Sequence, residues 1–205
     1  DGSVAFVVPA IQELKKTSTG ADIHGDVAPS YVFVEGLFRG EYDFVLSRIP
    51  PKYDKRQLEV PHGRHEEICF MARAAHPLVQ APVAPLAGLA SCEWVIQAPH
   101  TPLRQAVEAV FVSAGVELPD DIVNTTSMLV MVAYLASSDA LAPIPRQVAD
   151  LFVASGLAGG LTTLEPEEKI LVSPYFLITR RNVMMSAVAT RLRDLVHAAM
   201  NRSPG

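Results

Sequence analysis

The 205-residue chain is poor in the residues that announce the simplest functions, with only two cysteines, Cys69 and Cys92. They lie in apolar surroundings without a CxxC spacing or further partners, which reads as two buried thiols in a reducing compartment, with a bridge between them the disfavoured alternative. Positive charge is also scarce. Lys and Arg number 17 against 22 Asp and Glu, a net charge of -5, and no stripe of basic residues gathers anywhere. Phosphate contacts need concentrated cations, so direct nucleic-acid binding by this piece is excluded. The longest apolar runs, such as residues 128–136, fall short of the roughly 20 residues a membrane helix requires, so no membrane partner is expected. No signal-peptide pattern is visible, and a cytoplasmic location is the expectation. HExxH, GxSxG and P-loop motifs are missing, and Gly156-Leu-Ala-Gly-Gly160 lacks the dinucleotide spacing. Hydrolase and nucleotide-enzyme readings therefore find no support, and no cofactor is expected.

What the chain does hold is a 49% hydrophobic share and a mean hydropathy of +0.23, enough for a buried core and typical of α/β proteins with strands covered on both faces. The segment from Pro29 to Pro50 is the most telling. An apolar helical run stops at Arg39-Gly40 and passes without a loop into Glu41-Tyr-Asp43-Phe-Val-Leu-Ser47-Arg48, a helix ended by glycine and followed by a buried strand. Before it, a helix begins ahead of Pro9 and runs to Lys16, and residues 21–27 alternate as a strand. The first sixty residues thus read helix, strand, helix, strand, the pattern of a parallel sheet with crossover helices.

Extended regions follow from Gln57 to Ala74, broken at residues 61–64, and a Pro-, Ala- and Val-rich stretch from Pro77 to Pro85 reads as a surface connection. A second set then opens, with a strand at residues 93–97 and a helix from Pro102 to Gly115 capped by Thr101. A strand at 121–125, a buried helix at 127–136, a short strand at 140–144 and a helix at 145–154 complete it. Residues 155–163 read as Gly-rich turns. Residues 169–179 form a strand whose proline marks an edge, a bulge or a crossing between lobes, and residues 184–200 form the final amphipathic helix.

Among polar clusters, His62-Gly-Arg-His65-Glu66-Glu67 is the best metal candidate by residue type, but strand residues three apart face opposite ways, which favours solvated side chains over a metal site. Asn124-Thr125-Thr126-Ser127 places hydroxyls and backbone N–H groups between a strand and a helix, either as an anion cradle or as plain capping. Ala98-Pro-His100-Thr101 repeats that arrangement one strand away, and Pro29-Ser30 repeats it in the first set. Arg48, just past a strand end, offers a fork for a carboxylate or a surface ion pair.

Six segments, in order and spread over nearly the whole chain, carry a resemblance: Val8-Pro-Ala-Ile11, Glu35-Gly-Leu-Phe-Arg-Gly-Glu-Tyr-Asp43, Arg73-Ala-Ala-His76-Pro77-Leu78, Trp94-Val-Ile-Gln-Ala-Pro-His-Thr-Pro-Leu-Arg104, Ala140-Leu-Ala-Pro-Ile-Pro-Arg146 and Ile178-Thr-Arg-Arg181. The chain resembles the effector-binding domain of LysR-type transcriptional regulators. That resemblance implies an α/β fold of the type 2 periplasmic-binding-protein kind, two Rossmann-like lobes joined by two crossover strands. The first lobe would be residues 1–70 plus 178–205 and the second residues 71–177, with crossings at 67–73 and 175–179. The implied function is to bind a small polar effector, a carboxylate or sugar derivative, in the interlobe cleft. By position the contacts would be Ser3, Ser30, Arg48, His100, Thr101, Asn124, Thr125 and Thr126. The implied partners are further copies of the chain, as homodimer or homotetramer, through the helices at 8–15 and 102–115. Promoter DNA would be met only through a winged helix-turn-helix that this chain lacks. The family pattern also has a strand before the first helix, which leaves the first sheet short of a strand here and puts the role of Ser3 in question. A solute-binding protein of a transporter is the alternative on the same fold. An enzyme is disfavoured because no nucleophile–base or metal set can be assembled from the motifs.

Overall fold

The computed structural model describes residues 3–61, 63–157 and 159–202. In chain order its elements are α1 (Val4–Thr17), α2 (Ser30–Arg39), β1 (Phe44–Ser47), β2 (Leu58–Glu59), β3 (Arg64–Arg73), α3 (Leu86–Ala90), β4 (Trp94–Ile96), α4 (Pro102–Ser113), β5 (Ile122–Asn124), α5 (Met128–Ser137), β6 (Ala142–Pro145), α6 (Arg146–Ser155), β7 (Leu161–Leu164), β8 (Ile170–Arg180) and α7 (Ala187–Arg202). They divide into a central unit, Glu66–Ser173, and a terminal unit built from residues 3–65 and 174–202. The chain changes unit twice, within β3 between His65 and Glu66 and within β8 between Ser173 and Pro174.

The central unit is layered by the two-residue period of its strands. Ile68, Phe70 and Ala72 of β3 and Trp94 and Ile96 of β4 face one way, into a core closed by Leu86 and Leu89 of α3 and by Leu103, Val107 and Phe111 of α4. Cys69, Met71 and Val95 face the other way, onto Met131 and Leu135 of α5 and Val148 and Ala149 of α6. Both faces are covered, which is why these strands read as near-continuous apolar runs. Trp94 anchors the first core between Phe70 (centroids 5.3 Å) and Phe111 (5.2 Å, edge-on), and its Nε1–H donates to the Leu89 carbonyl at 2.8 Å. β4 and β5 pair in parallel, with Trp94 opposite Ile122 and Ile96 opposite Asn124. A parallel bridge joins Trp94 to Leu141, so β6 runs the same way. β3 runs against β6 on one side and β7 on the other.

The terminal unit uses the same rule. Phe44 and Leu46 of β1, with Tyr175 and Leu177 of β8, face α1 and α7, where Phe6, Ala10, Leu14, Leu192, Val196 and Met200 meet them. Val45 and Ile178 face Phe33, Val34 and Leu37 of α2. α2 stops where Gly40 takes a left-handed conformation (φ 78°), its N–H and that of Glu41 closing on carbonyls of the last turn, as a glycine C-cap requires.

Several expectations are corrected. The strand expected at residues 21–27 is not formed: the segment is irregular and mostly exposed, since alternation without a hydrogen-bonded neighbour does not make a strand. The parallel sheet expected in the first sixty residues falls with it, because β1 and β2 both pair antiparallel to β8. The helix expected to be buried at 127–136 exists as α5 but sinks only Met131 and Leu135, leaving Leu129 79% exposed. The Pro-rich stretch at 77–85 is mostly exposed, as expected of a surface connection, and leads into the short helix α3, whereas the Gly-rich stretch runs into β7. The final helix starts at Ala187, with Met184 in solvent. Both thiols are free, Cys69 buried and Cys92 half-buried.

Replacing Phe111 by Ala removes the ring that closes on Trp94. A loss of about 3–5 kcal/mol is expected, read as a lower midpoint of urea denaturation followed by tryptophan fluorescence, whereas an unchanged midpoint would contradict the packing.

Candidate functional site: helix starts at the sheet ends

In the central unit the parallel strands β4, β5 and β6 share one direction, so their carboxyl ends lie at one sheet edge and lead into the amino ends of α4, α5 and α6. The antiparallel register places Ile68 opposite Pro145, so this is also the edge at which β3 brings the chain into the unit. Five of the expected contact residues gather here. His100 and Thr101 precede α4, while Asn124, Thr125 and Thr126 lie between β5 and α5.

Hydrogen bonding separates cappers from presenters. Thr101 Oγ1 accepts from the Arg104 N–H at 3.4 Å and donates to the Ala98 carbonyl at 3.1 Å, so its hydroxyl serves the helix start. Ser127 caps α5 by accepting from the Val130 N–H, and Thr125 Oγ1 accepts from the Ser127 N–H at 3.1 Å. Thr125 is tied further to β4 by its N–H, which donates to the Ile96 carbonyl at 3.0 Å. His100 and Thr126 are exposed. His100 also adopts a left-handed backbone (φ 70°), a conformation that costs a side-chain-bearing residue about 1–2 kcal/mol.

Sequence reasoning missed the residue that joins these loops. Arg104, with its side chain only 12% exposed, donates from Nη1 to Asn124 Oδ1 at 2.8 Å and to the Gln97 carbonyl at 3.4 Å, while Nε pairs with Glu108 one turn along α4. One guanidinium thus ties the ends of β4 and β5 to α4. Asn124 therefore has its amide oxygen committed, leaving its NH2 end as the group it can offer. The usable signal was an arginine in the first turn of a helix that opens beside a second strand end.

In the terminal unit, Ser30 starts α2 behind Pro29, and no side chain caps that helix. β1 ends beside it. Ser47 is buried, its Oγ donating to the Arg48 carbonyl at 2.9 Å and lying 3.5 Å from the Ser30 carbonyl. Ser30 and Arg48 are therefore brought together, at the edge where Ser47 pairs with Phe176 and β8 brings the chain into the unit. Ser3 sits at the start of α1, on the sheet face opposite α2, where its carbonyl receives the N–H groups of Phe6 and Val7 at 3.0 Å.

No metal site forms among the described residues, and His62 lies outside them. One cysteine–histidine contact does form: Cys92 Sγ lies 3.9 Å from His76 Nε2. Burial pushes the thiol up and the imidazole down, so the pair is neutral and lacks the thiolate a nucleophile needs. Burial likewise pushes Cys69 up to about 12.

The family model for the LysR substrate binding domain matches residues 2–201. The chain belongs to that family. Among curated proteins it is similar to the HTH-type transcriptional regulator GbpR of Rhizobium radiobacter, 33% identical over 74% of this chain and 50% of that protein. It is likewise similar to GbpR of Azospirillum brasilense, 30% identical over 96% of this chain and 57% of that protein. The chain thus spans about half the length of these relatives. Its fold matches the regulatory domain of Synechocystis CcmR in complex with 2-PG, with a TM-score of 0.73 at 16% identity over 99% of this chain and 95% of that one. It also matches the BenM effector binding domain with benzoate, with a TM-score of 0.67 at 17% identity over 96% and 87%. The mixed α/β, two-lobed fold is that of LysR effector-binding domains, and the family is one of transcriptional regulators. No helix among the described residues is long and apolar enough to cross a membrane.

Two measurements test the site as described. His100→Gly relieves the left-handed cost, offset by about 0.5–1 kcal/mol of glycine entropy, so a gain of about 0.5–1 kcal/mol in denaturation is expected. A loss would show that the His100 side chain holds the loop. In the folded chain at about pH 8 a thiol reagent should label Cys92 slowly and Cys69 only after unfolding, and rapid labelling of either would contradict their raised affinity for the proton.

Proposed function

We propose that this chain is the sensing domain of a LysR-type regulator that binds a small polar effector, a carboxylate or sugar derivative, through both groups of helix starts. The observation that carries the reading is their placement: in each unit the polar cluster lies at the sheet edge where a crossing strand enters. Ligands of open α/β sheets sit at the carboxyl ends of strands and the amino ends of helices. Arg48, Ser30, His100, Asn124, Thr125 and Thr126 are the contacts we assign, with Thr101 a capper and Arg104 a positioning residue. Ser3 is not among them, since it starts α1 on the sheet face opposite α2. The lobes would follow these units, and the ligands named for similar domains, benzoate and shikimate among them, favour the carboxylate.

In the full-length regulator, effector binding would shift the population of dimer or tetramer arrangements and so change how an N-terminal winged helix-turn-helix grips promoter DNA in the cytoplasm. Family membership favours this over the solute-binding protein of a transporter. We read the chain as a sensor and not an enzyme, since in the cysteine–histidine contact seen among the described residues burial pushes the thiol up, away from the thiolate.

A thermal-shift screen of small carboxylates and sugar acids checks the proposal. A ligand at a hundredfold its dissociation constant stabilises by about 2.7 kcal/mol. That gain should vanish in an Arg48→Ala, Thr125→Ala double variant, and hits that survive there unchanged would reject the assignment.

A further inference from the structure

The terminal unit has a polar concavity at the opposite end of its sheet from Ser30 and Arg48. The register fixes this: Ser47, at the edge where β8 enters, pairs with Phe176, whereas the other end pairs Phe44 with Thr179. Beyond Thr179 a cavity of about 490 Å³ opens, within the size range of small-molecule sites. Leu177, Thr179 and Arg181, alternate residues of one strand line, form one wall. Arg193 and His197, four apart on α7, form a second with Asp194 between them, and Glu59 begins a third.

The cavity holds both signs of charge, unevenly paired. Arg193 donates from Nε and Nη2 to Asp194 Oδ1 at 2.9 and 2.6 Å, which neutralises that pair locally. Arg181 spends one donor on the Leu58 carbonyl at 3.3 Å, and no carboxylate among the described residues forms an ion pair with it. Glu59 is approached by the Thr179 hydroxyl at 3.5 Å. Because Glu59 lies opposite Thr179, Glu59 and Arg181 are diagonal neighbours, about 7–8 Å apart and somewhat less at Cβ. They are close enough to address one small molecule and are not joined to each other. A simple anion would meet Glu59 and Asp194, a simple cation would meet both arginines, and an apolar ligand would strip water from all of them. A ligand carrying both charges on one carbon satisfies the site.

We propose that this cavity is a second ligand site, which takes the ammonium and carboxylate of a free amino acid, with Arg181 on the carboxylate and Glu59 on the ammonium. The amino-acid side chain lies toward Leu177. The site is separate from the effector contacts and stands or falls apart from them.

The test is calorimetric titration of the chain with each proteinogenic amino acid, and with the N-acetyl and carboxamide derivatives of any that bind. At least one amino acid should bind saturably, each blocked derivative about tenfold more weakly, and Arg181→Gln and Glu59→Gln should each weaken binding by about tenfold. Both side chains are exposed, so an unchanged Tm of the unliganded variants shows that the fold is kept. The imidazole resonances of His197 should shift on titration. Absence of saturable binding by every amino acid, or equal binding of blocked forms, would overturn the proposal. So would binding that survives Arg181→Gln but disappears in the Arg48→Ala, Thr125→Ala variant.

Discussion

A helix that opens directly from a strand end leaves its first backbone N–H groups without partners, and the polar chemistry of this molecule is arranged around that fact. Three parallel strands in the central unit place three such helix starts along one edge. Two are answered by their own side chains, Thr101 for α4 and Ser127 for α5. The other, α6, follows Pro145, and in the terminal unit α2 follows Pro29; neither proline offers a cap. Capped and uncapped starts thus lie side by side in the central unit. The capped ones spend their hydroxyls on structure, which leaves the loop residues between them and the uncapped starts as the groups with polar atoms still to offer.

Arg104 turns this edge into a defined surface. Its guanidinium is largely withdrawn from solvent and engaged on three sides, by Asn124, by the Gln97 carbonyl and by Glu108. A charge so enclosed is tolerable only because each direction is met. The two loops at this edge of the central unit therefore do not wander independently: the same group fixes both, and the strained backbone at His100 persists within that frame.

What could be read in advance follows from the range of the interaction. The Thr101 cap, Pro102 in the first turn and the Gly40 stop depend on neighbours a few residues away, and each stands where the sequence placed it. The Arg104–Asn124 bond joins two successive elements, α4 and β5, across residues far apart in the chain, and nothing local encodes it. The errors share a cause. Residues 21–27 carry a strand pattern, but a strand exists only with a paired neighbour, which the described residues do not supply. Residues 128–136 are apolar all round, so periodicity could not say which side was covered, and only one narrow face proved to be. Among the candidate contacts, side-chain type correctly marked the strand–helix junctions. It could not separate Thr101, whose hydroxyl is consumed by capping, from Thr126, which stands exposed.

The charge balance constrains how such a surface would recognise the carboxylate proposed for it. At a net charge of -5 the long-range field of the chain opposes an anion, so attraction must be generated within a few ångströms of the ligand. Arg104 is already neutralised by Glu108 and contributes geometry more than field. The remaining sources are the helix amino ends, each equivalent to about half a positive charge. Summed, they outweigh one carboxylate only if several converge on it. A single helix start facing an anion in water contributes roughly 0.3–1 kcal/mol, too little for specific binding. A sensor assembled this way must therefore gather its positive ends from more than one strand–helix junction, and selectivity then follows from which hydroxyls and amides the structure has left unspent beside them.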